Sequence, residues 1–145
     1  MFVYLLDTNT FAYIASGFSA LARAEFLKLE NDGISEVCIS AITEAEVRYG
    51  LAWGPVSAQR RAAIESLLLK VEILSWDSEA AAAYGQARAA LRKNGLTVEN
   101  MDMLIAAHAA STGATLVTHD SIFSRIAELA NISAIVDWAK DITAS

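Results

Sequence analysis

The stretch Val3–Tyr13, VYLLDTNTFAY, is apolar up to the acid Asp7, passes through Thr8, Asn9 and Thr10, and turns apolar again. The run Phe2–Leu6 is short, mixes aromatic with aliphatic residues and shows no clear alternation, which predicts a buried strand. A carboxylate at the abrupt end of such a strand either caps the helix that follows or belongs to a site. The rest of the chain decides between the two.

Downstream of Asp7 the pattern turns helical from Asn9 to Leu29, with an interruption near Ser16–Ser19. EVCIS (Glu36–Ser40) reads as a second strand and ITEAEVRYGLAW (Ile42–Trp53) as a helix ended by Gly54-Pro55. SAQRRAAIESLLLK (Ser57–Lys70) is an amphipathic helix with Ser57 as its N-cap. VEILSW (Val71–Trp76) predicts a third strand. The alanine-rich segment Ser78–Gly95 predicts a helix closed by basic residues and a glycine. Asn100–Gly113 predicts another helix, ATLVTHD (Ala114–Asp120) a fourth strand, Ser121–Leu129 a short helix and Ser133–Val136 a last strand. Strands alternate with helices, so the fold class expected is α/β, a central parallel sheet covered by helices. In such a sheet ligands bind beyond the carboxyl ends of the strands.

Composition narrows the classes. The 145 residues suit one domain, 1–145. Hydrophobic residues make up 54% and charged ones 19%, which argues against disorder. The net charge of −6 argues against a protein that wraps nucleic acid by charge alone, although acids gathered in one place leave room for a basic rim. The single cysteine, Cys38, lies in an apolar run and reads as a small core residue. The N-terminus lacks a basic region and Asp7 cuts its apolar run, so no signal peptide is expected. No apolar run is long enough to span a membrane, and the expected location is cytoplasmic.

Asp7 ends the first strand. Glu46 stands in the first turns of the helix after EVCIS, Asp102 in the first turn of the helix from Asn100, and Asp120 directly after the strand TLVT. One topological rule places all four at one edge of the sheet. Each also has a bland role. Asp7 and Asp120 suit helix caps, Thr43 and Glu46 match a T-x-x-E capping box, and Asp102 complements a helix dipole. Four caps need not be convergent acids, however, and no matching basic residues stand beside them in sequence. Clustered carboxylates repel unless protonated or bound to a cation. Oxygen ligands without a Cys or His cluster suit a hard ion, Mg²⁺ or Mn²⁺, rather than zinc. Such ions favour phosphodiester hydrolysis.

The segments LLDTNTFAY (Leu5–Tyr13), SAITEAEVRYG (Ser40–Gly50), MDMLIAAHAASTGATLVTHD (Met101–Asp120) and FSRI (Phe123–Ile126) together resemble the PIN domain, and within it the VapC toxins of bacterial VapBC toxin–antitoxin pairs. The resemblance runs from Phe2 to about Trp138. It implies a PIN-like three-layer sandwich and a Mg²⁺- or Mn²⁺-dependent endoribonuclease. It maps the catalytic acids onto Asp7, Glu46, Asp102 and Asp120. Asp7, Asp102 and Asp120 would hold one or two ions, with Glu46 direct or through water. Glu44 is also acidic, but the family's acid falls at Glu46, and two residues apart on a helix the side chains point differently. Asn9 and Thr118 match small polar positions that support the metal or its water. His119 is expected to be a rim contact and His108 a packed helix residue. A metal-activated water would attack the RNA phosphate in line, leaving a 5′-phosphate and a 3′-hydroxyl.

The partners implied are an RNA substrate, tRNA foremost, a second copy of the chain in a homodimer, and a cognate VapB-type antitoxin that alone carries operator DNA binding. The helices between Ile42 and Leu69 suit a clamp for the antitoxin's C-terminal segment. Arg48, Arg60, Arg61, Arg88, Arg92 and Lys93 are candidate phosphate contacts. Trp53, Trp76, Tyr49 and Tyr84 are expected in core or dimer packing, with base stacking as the alternative. Two competing readings remain. A phosphoacceptor signalling domain also carries acids at strand ends but needs a late lysine near them, and only Lys140 follows Asp120. A non-catalytic PIN-like binding module would have lost acids that this chain keeps.

Overall fold

The computed structural model describes residues 1–143. Five parallel strands form one sheet: β1 (Phe2–Leu6), β2 (Ser35–Ser40), β3 (Glu72–Leu74), β4 (Thr115–Val117) and β5 (Ala134–Val136), in the order β3-β2-β1-β4-β5. The helices are α1 (Thr8–Ser16), α2 (Ala20–Glu30), α3 (Ala41–Trp53), α4 (Ala58–Lys70), α5 (Ser78–Lys93), α6 (Asn100–Thr112) and α7 (Ser121–Ala130). The expected α/β sandwich with a central parallel sheet is borne out.

Alternate strand residues feed opposite faces, because successive strand side chains point to opposite sides. Leu6, Val37, Ile39 and Val117 pack with Phe11, Ile14, Phe26 and Leu67 from α1, α2 and α4. Leu5, Cys38 and Leu116 pack with Leu91, Met103, Phe123 and Ile126 from α5, α6 and α7. Both faces are covered, so β1 at the centre carries apolar residues at every position and looks unpatterned in sequence. Cys38 is fully buried, and burial, with Glu36 beside it, pushes its thiol up to about 12. It stays a protonated core residue.

The helical stretch after Asp7 is two helices, and the break between them falls where the interruption near Ser16–Ser19 was expected. Gly17 ends α1 at φ +75, a conformation that suits a residue without a Cβ, and Ser19 starts α2 by accepting from the Ala22 N–H at 3.0 Å. The third strand is shorter than Val71–Trp76, because Trp76 leaves the sheet to donate its indole N–H to the Leu104 carbonyl of α6 at 3.0 Å. The strand order reverses direction beside β1, between β2 on one side and β4 on the other. Helices α1, α2 and α4 pack on one face of the sheet and α5, α6 and α7 on the other, and a crevice opens at the strands' carboxyl ends.

Leu6→Ala removes a fully buried side chain at the centre of the sheet and lowers unfolding free energy by about 3 kcal/mol in urea titration. Leu69→Ala, at a side chain 89% exposed, changes it by less than about 0.5 kcal/mol.

Candidate active site

The crevice holds a pocket of about 290 Å³ that Asp7, Glu46, Asp102 and Asp120 all line, with Asn9 and Glu99. The four acids expected at one edge are therefore together. Asp7 directly follows β1, Glu46 lies in α3, Asp102 lies in α6 and Asp120 is the N-cap of α7.

Asp7 is buried and held at both oxygens. Oδ1 accepts from the Thr10 N–H at 2.8 Å, capping α1, and Oδ2 accepts from the Thr118 hydroxyl at 2.6 Å. The cap and the pocket acid are thus one carboxylate, not alternatives. The same Thr118 oxygen accepts from the Asp120 N–H at 3.0 Å, so one hydroxyl ties the end of β4 to the end of β1. Thr118, named from the sequence as a supporting residue, is placed against both Asp7 and Asp120 by these bonds. Asp120 caps α7 with Oδ1 against the Ile122 N–H at 3.0 Å. Asn9 is exposed and lines the pocket wall.

The capping box of Thr43 and Glu46 is not formed. The N-cap of α3 is Ser40, whose side chain accepts from the Ile42 N–H, so the helix begins before Thr43 and encloses it. Thr43 is fully buried, and Glu46 is free of any capping role. Glu46 Oε1 instead accepts from the Thr8 hydroxyl at 2.7 Å, and that hydroxyl stands 3.3 Å from the Thr43 hydroxyl. Thr8 has one proton, so the shorter bond takes it and Thr43 is left to donate. Glu44 faces outward and pairs with Arg48 at 2.8 Å.

Sequence reasoning missed Thr8 and Glu99. Glu99 is the N-cap residue of α6, yet its side chain makes no capping bond and lies at the pocket. The three-residue spacing to Asp102, which puts the two on one side of a helix start, was the available signal.

Burial pushes the Asp102 carboxyl up to about 6, helped by the charges of Glu99, Asp120, Asp7 and Glu46. Burial also raises Asp7, against the lowering effect of its Thr118 and Thr10 hydrogen bonds. No lysine, arginine or histidine lines this pocket. The donor set is oxygen only, which fits a hard divalent cation. Among the described residues, no three carboxylates stand near enough to one point to hold an ion as they are posed. Among the described residues neither Asp102 nor Glu99 makes a side-chain hydrogen bond, whereas Asp7, Glu46 and Asp120 each accept at least one.

The two histidines stand apart from this chemistry. His108 is buried, with Nδ1 2.8 Å from the Ser40 hydroxyl, and burial holds its pKa low. It is the packed helix residue expected. His119 places Nδ1 2.8 Å from Asp137 Oδ2, and its Nε2 is buried without a partner. Of the candidate phosphate contacts, Arg48, Arg61 and Arg88 are engaged with Glu44, the Leu51 carbonyl and the Tyr84 hydroxyl. Trp76 and Tyr84 pack edge-on at 6.2 Å, whereas Tyr49 and Trp53 stack on each other at 6.1 Å on the surface.

A family model described as the PIN domain matches residues 4–129. The chain is 34% identical over 139 residues to a tRNA(fMet)-specific endonuclease VapC from Salmonella typhimurium, covering 95% of this chain and 99% of that one. It is 33% identical to ribonuclease VapC2 of Rickettsia felis, over 88% of this chain and 94% of the relative. The crystal structure of VapBC2 from Rickettsia felis bound to a promoter DNA fragment superposes with a TM-score of 0.82 at 29% identity, covering 94% of this chain and 98% of that one.

Raised carboxyl pKa values favour the folded state most below about pH 4, and that contribution is lost as pH rises through about 6. Asp102→Asn therefore matches the parent at pH 4 in chelator but exceeds it at pH 7.5 by about 1 kcal/mol, after allowance for solvent screening of this half-exposed group. Paired urea titrations at the two pH values measure the difference. Equal stabilities at both would show that the acids do not burden the fold.

Proposed function

The chain belongs to the PIN-domain family, in its VapC branch, and from that premise we propose that it is a metal-dependent endoribonuclease and the toxin of a type II toxin–antitoxin pair. The observation that carries this is the acid pocket itself: Asp7, Glu46, Glu99, Asp102 and Asp120 around one crevice without a basic residue in its lining. Five carboxylates gathered without a cationic side chain repel one another, and a bound cation would offset that repulsion.

Asp7, Asp102 and Asp120 would hold Mg²⁺ or Mn²⁺, with Glu46 direct or through water. When bound, such an ion lowers the pKa of water and neutralises charge on the leaving oxygen of a phosphodiester. Asp7 is the fixed member, because the Thr10 N–H and the Thr118 hydroxyl set its orientation before any ligand arrives. Thr8 fixes one oxygen of Glu46 from the other side of the pocket. Thr118 sets the backbone that carries Asp120. Substrate RNA, tRNA foremost, would lay its phosphate over these carboxylates.

A VapB-type antitoxin is the partner that the structural neighbours suggest, since they are VapBC complexes. An apolar groove between α1, α3 and α4 supports this. Phe11, Ala15, Val47, Leu51 and Ile64 line it, and Glu46 stands at its end. A segment seated there would bring a basic side chain to the acids, and the charges are complementary. Of these helices, α3 and α4 are the ones expected from the sequence as a clamp, and α1 joins them. Operator DNA binding would belong to the antitoxin. The exposed Tyr49–Trp53 stack is a surface that a homodimer would cover. No helix among the described residues is long and apolar enough to cross a membrane.

Purified chain free of antitoxin is expected to cut total cellular RNA into discrete fragments with Mg²⁺ or Mn²⁺, and not with chelator. Asp7→Asn is expected to lower the rate at least about 100-fold while leaving the fold intact by circular dichroism. A folded, metal-binding protein that cuts no RNA would leave the non-catalytic binding module as the better reading. Separately, Trp53→Asp is expected to shift a dimer to monomer in sedimentation velocity, and an unchanged dimer would place the interface elsewhere.

A further inference from the structure

A second cleft, of about 730 Å³, adjoins the acid pocket and shares Asn9 and Asp120 with it. Its floor carries an aromatic pair: Tyr13 and Phe18, ring centroids 5.8 Å apart and tilted by 38°. Phe18 is 67% exposed, an unusual state for a large apolar side chain unless something covers it.

The turn that presents Phe18 is pinned from several directions. Gly17 takes φ +75, and a Cβ there would meet the Arg23 guanidinium at 2.8 Å. Arg23 donates to the Ile14 carbonyl at 3.1 and 3.0 Å and to the Ala15 carbonyl at 3.1 Å, closing the end of α1. The Phe18 N–H donates to the Ser16 hydroxyl at 3.1 Å. Ser19, fully buried, donates to Asp141 Oδ1 at 2.6 Å, and Asp141 Oδ2 accepts from the Leu21 N–H at 3.3 Å. An exposed ring on a fixed turn loses little entropy when a flat partner lies on it.

Resting on the nuclease reading, we propose that Tyr13 and Phe18 form a stacking shelf for an unpaired base next to the scissile phosphate. The wall chemistry selects a base over a phosphate. Asp120 and Asp141 repel anions, no lysine or arginine lines the cleft, the one histidine there, His119, is held 2.8 Å from Asp137, and Asn9 and Ser121 offer neutral hydrogen-bonding groups to a base edge. Continuity through Asn9 and Asp120 puts the shelf beside the acids, so a strand with its phosphate at the pocket carries its neighbouring base over Phe18.

The test uses the parent chain, Phe18→Ala, Phe18→Trp and Asp7→Asn, free of antitoxin. Single-stranded RNA oligonucleotides span a site that the parent cuts, or, if it cuts none, one that it binds, with 2-aminopurine or an abasic ribose at each position in turn. Phe18→Ala is expected to lower kcat/KM about tenfold or more and Phe18→Trp to restore it. One flanking abasic position should cost the parent a similar factor and cost Phe18→Ala little further, because the two changes remove the same contact. Quenching of 2-aminopurine at that position should appear with the parent and with Asp7→Asn, and fade with Phe18→Ala. Parent-like cleavage and quenching by Phe18→Ala overturn the shelf and leave the nuclease standing. Absent cleavage with quenching that depends on Phe18 keeps the shelf and removes the nuclease. A loss confined to affinity for an antitoxin peptide overturns the shelf in favour of a protein contact.

Discussion

The hydrogen bond from the Thr118 hydroxyl to Asp7 Oδ2, 2.6 Å long, joins the two strands on either side of the point where the sheet reverses its order. Parallel pairing of β1 with β4 sets the register, Leu6 opposite Val117, and the residues that follow face each other across the crevice. The Asp7 N–H donates to the Val117 carbonyl at 3.1 Å, and the Thr10 hydroxyl donates to the same carbonyl at 3.2 Å. With β1 and β4 tied this way, the start of α1 and the start of α7 are both fixed, and each contributes an acid. The pocket is therefore a consequence of strand register as much as of side-chain choice.

Much of this was legible in the sequence because strand ends and helix starts are local signals. Asp7 follows an apolar run directly, Asp120 stands just past another, and Asp102 lies in the first turn of an apolar helix beyond the break at Asn94-Gly95. Their convergence follows from the α/β rule alone. What was not legible depends on where an element begins or on pairing across the sheet. Thr8 matters only because α3 begins at Ala41, which turns Glu46 toward it. The T-x-x-E pattern at Thr43 misled for the same reason, since Ser40 was already at the strand end to serve as cap. Glu99 looks like an ordinary cap until its side chain is seen to cap nothing. The contact of His119 with Asp137 needs β5 to lie beside β4.

The acids strain a fold that is otherwise well satisfied. Helix caps, Ser57 and Asp77 among them, are filled by their own side chains, and both faces of the sheet are packed. Against that background Asp102, with its carboxyl pushed up to about 6, is the group the native state tolerates rather than uses. Stability set against ligand readiness is a common arrangement at functional sites.

The bond between Thr118 and Asp7 spans 111 residues. A chain emerging from the ribosome makes β1 first and receives β4 only after most of its length has been synthesised. Until then Asp7 has no brace, Asp120 has no strand to follow, and the crevice does not exist. The acid pocket is therefore completed only late in synthesis, and a product broken off before β4 carries Asp7, Glu46, Glu99 and Asp102 without Asp120 or the Thr118 brace.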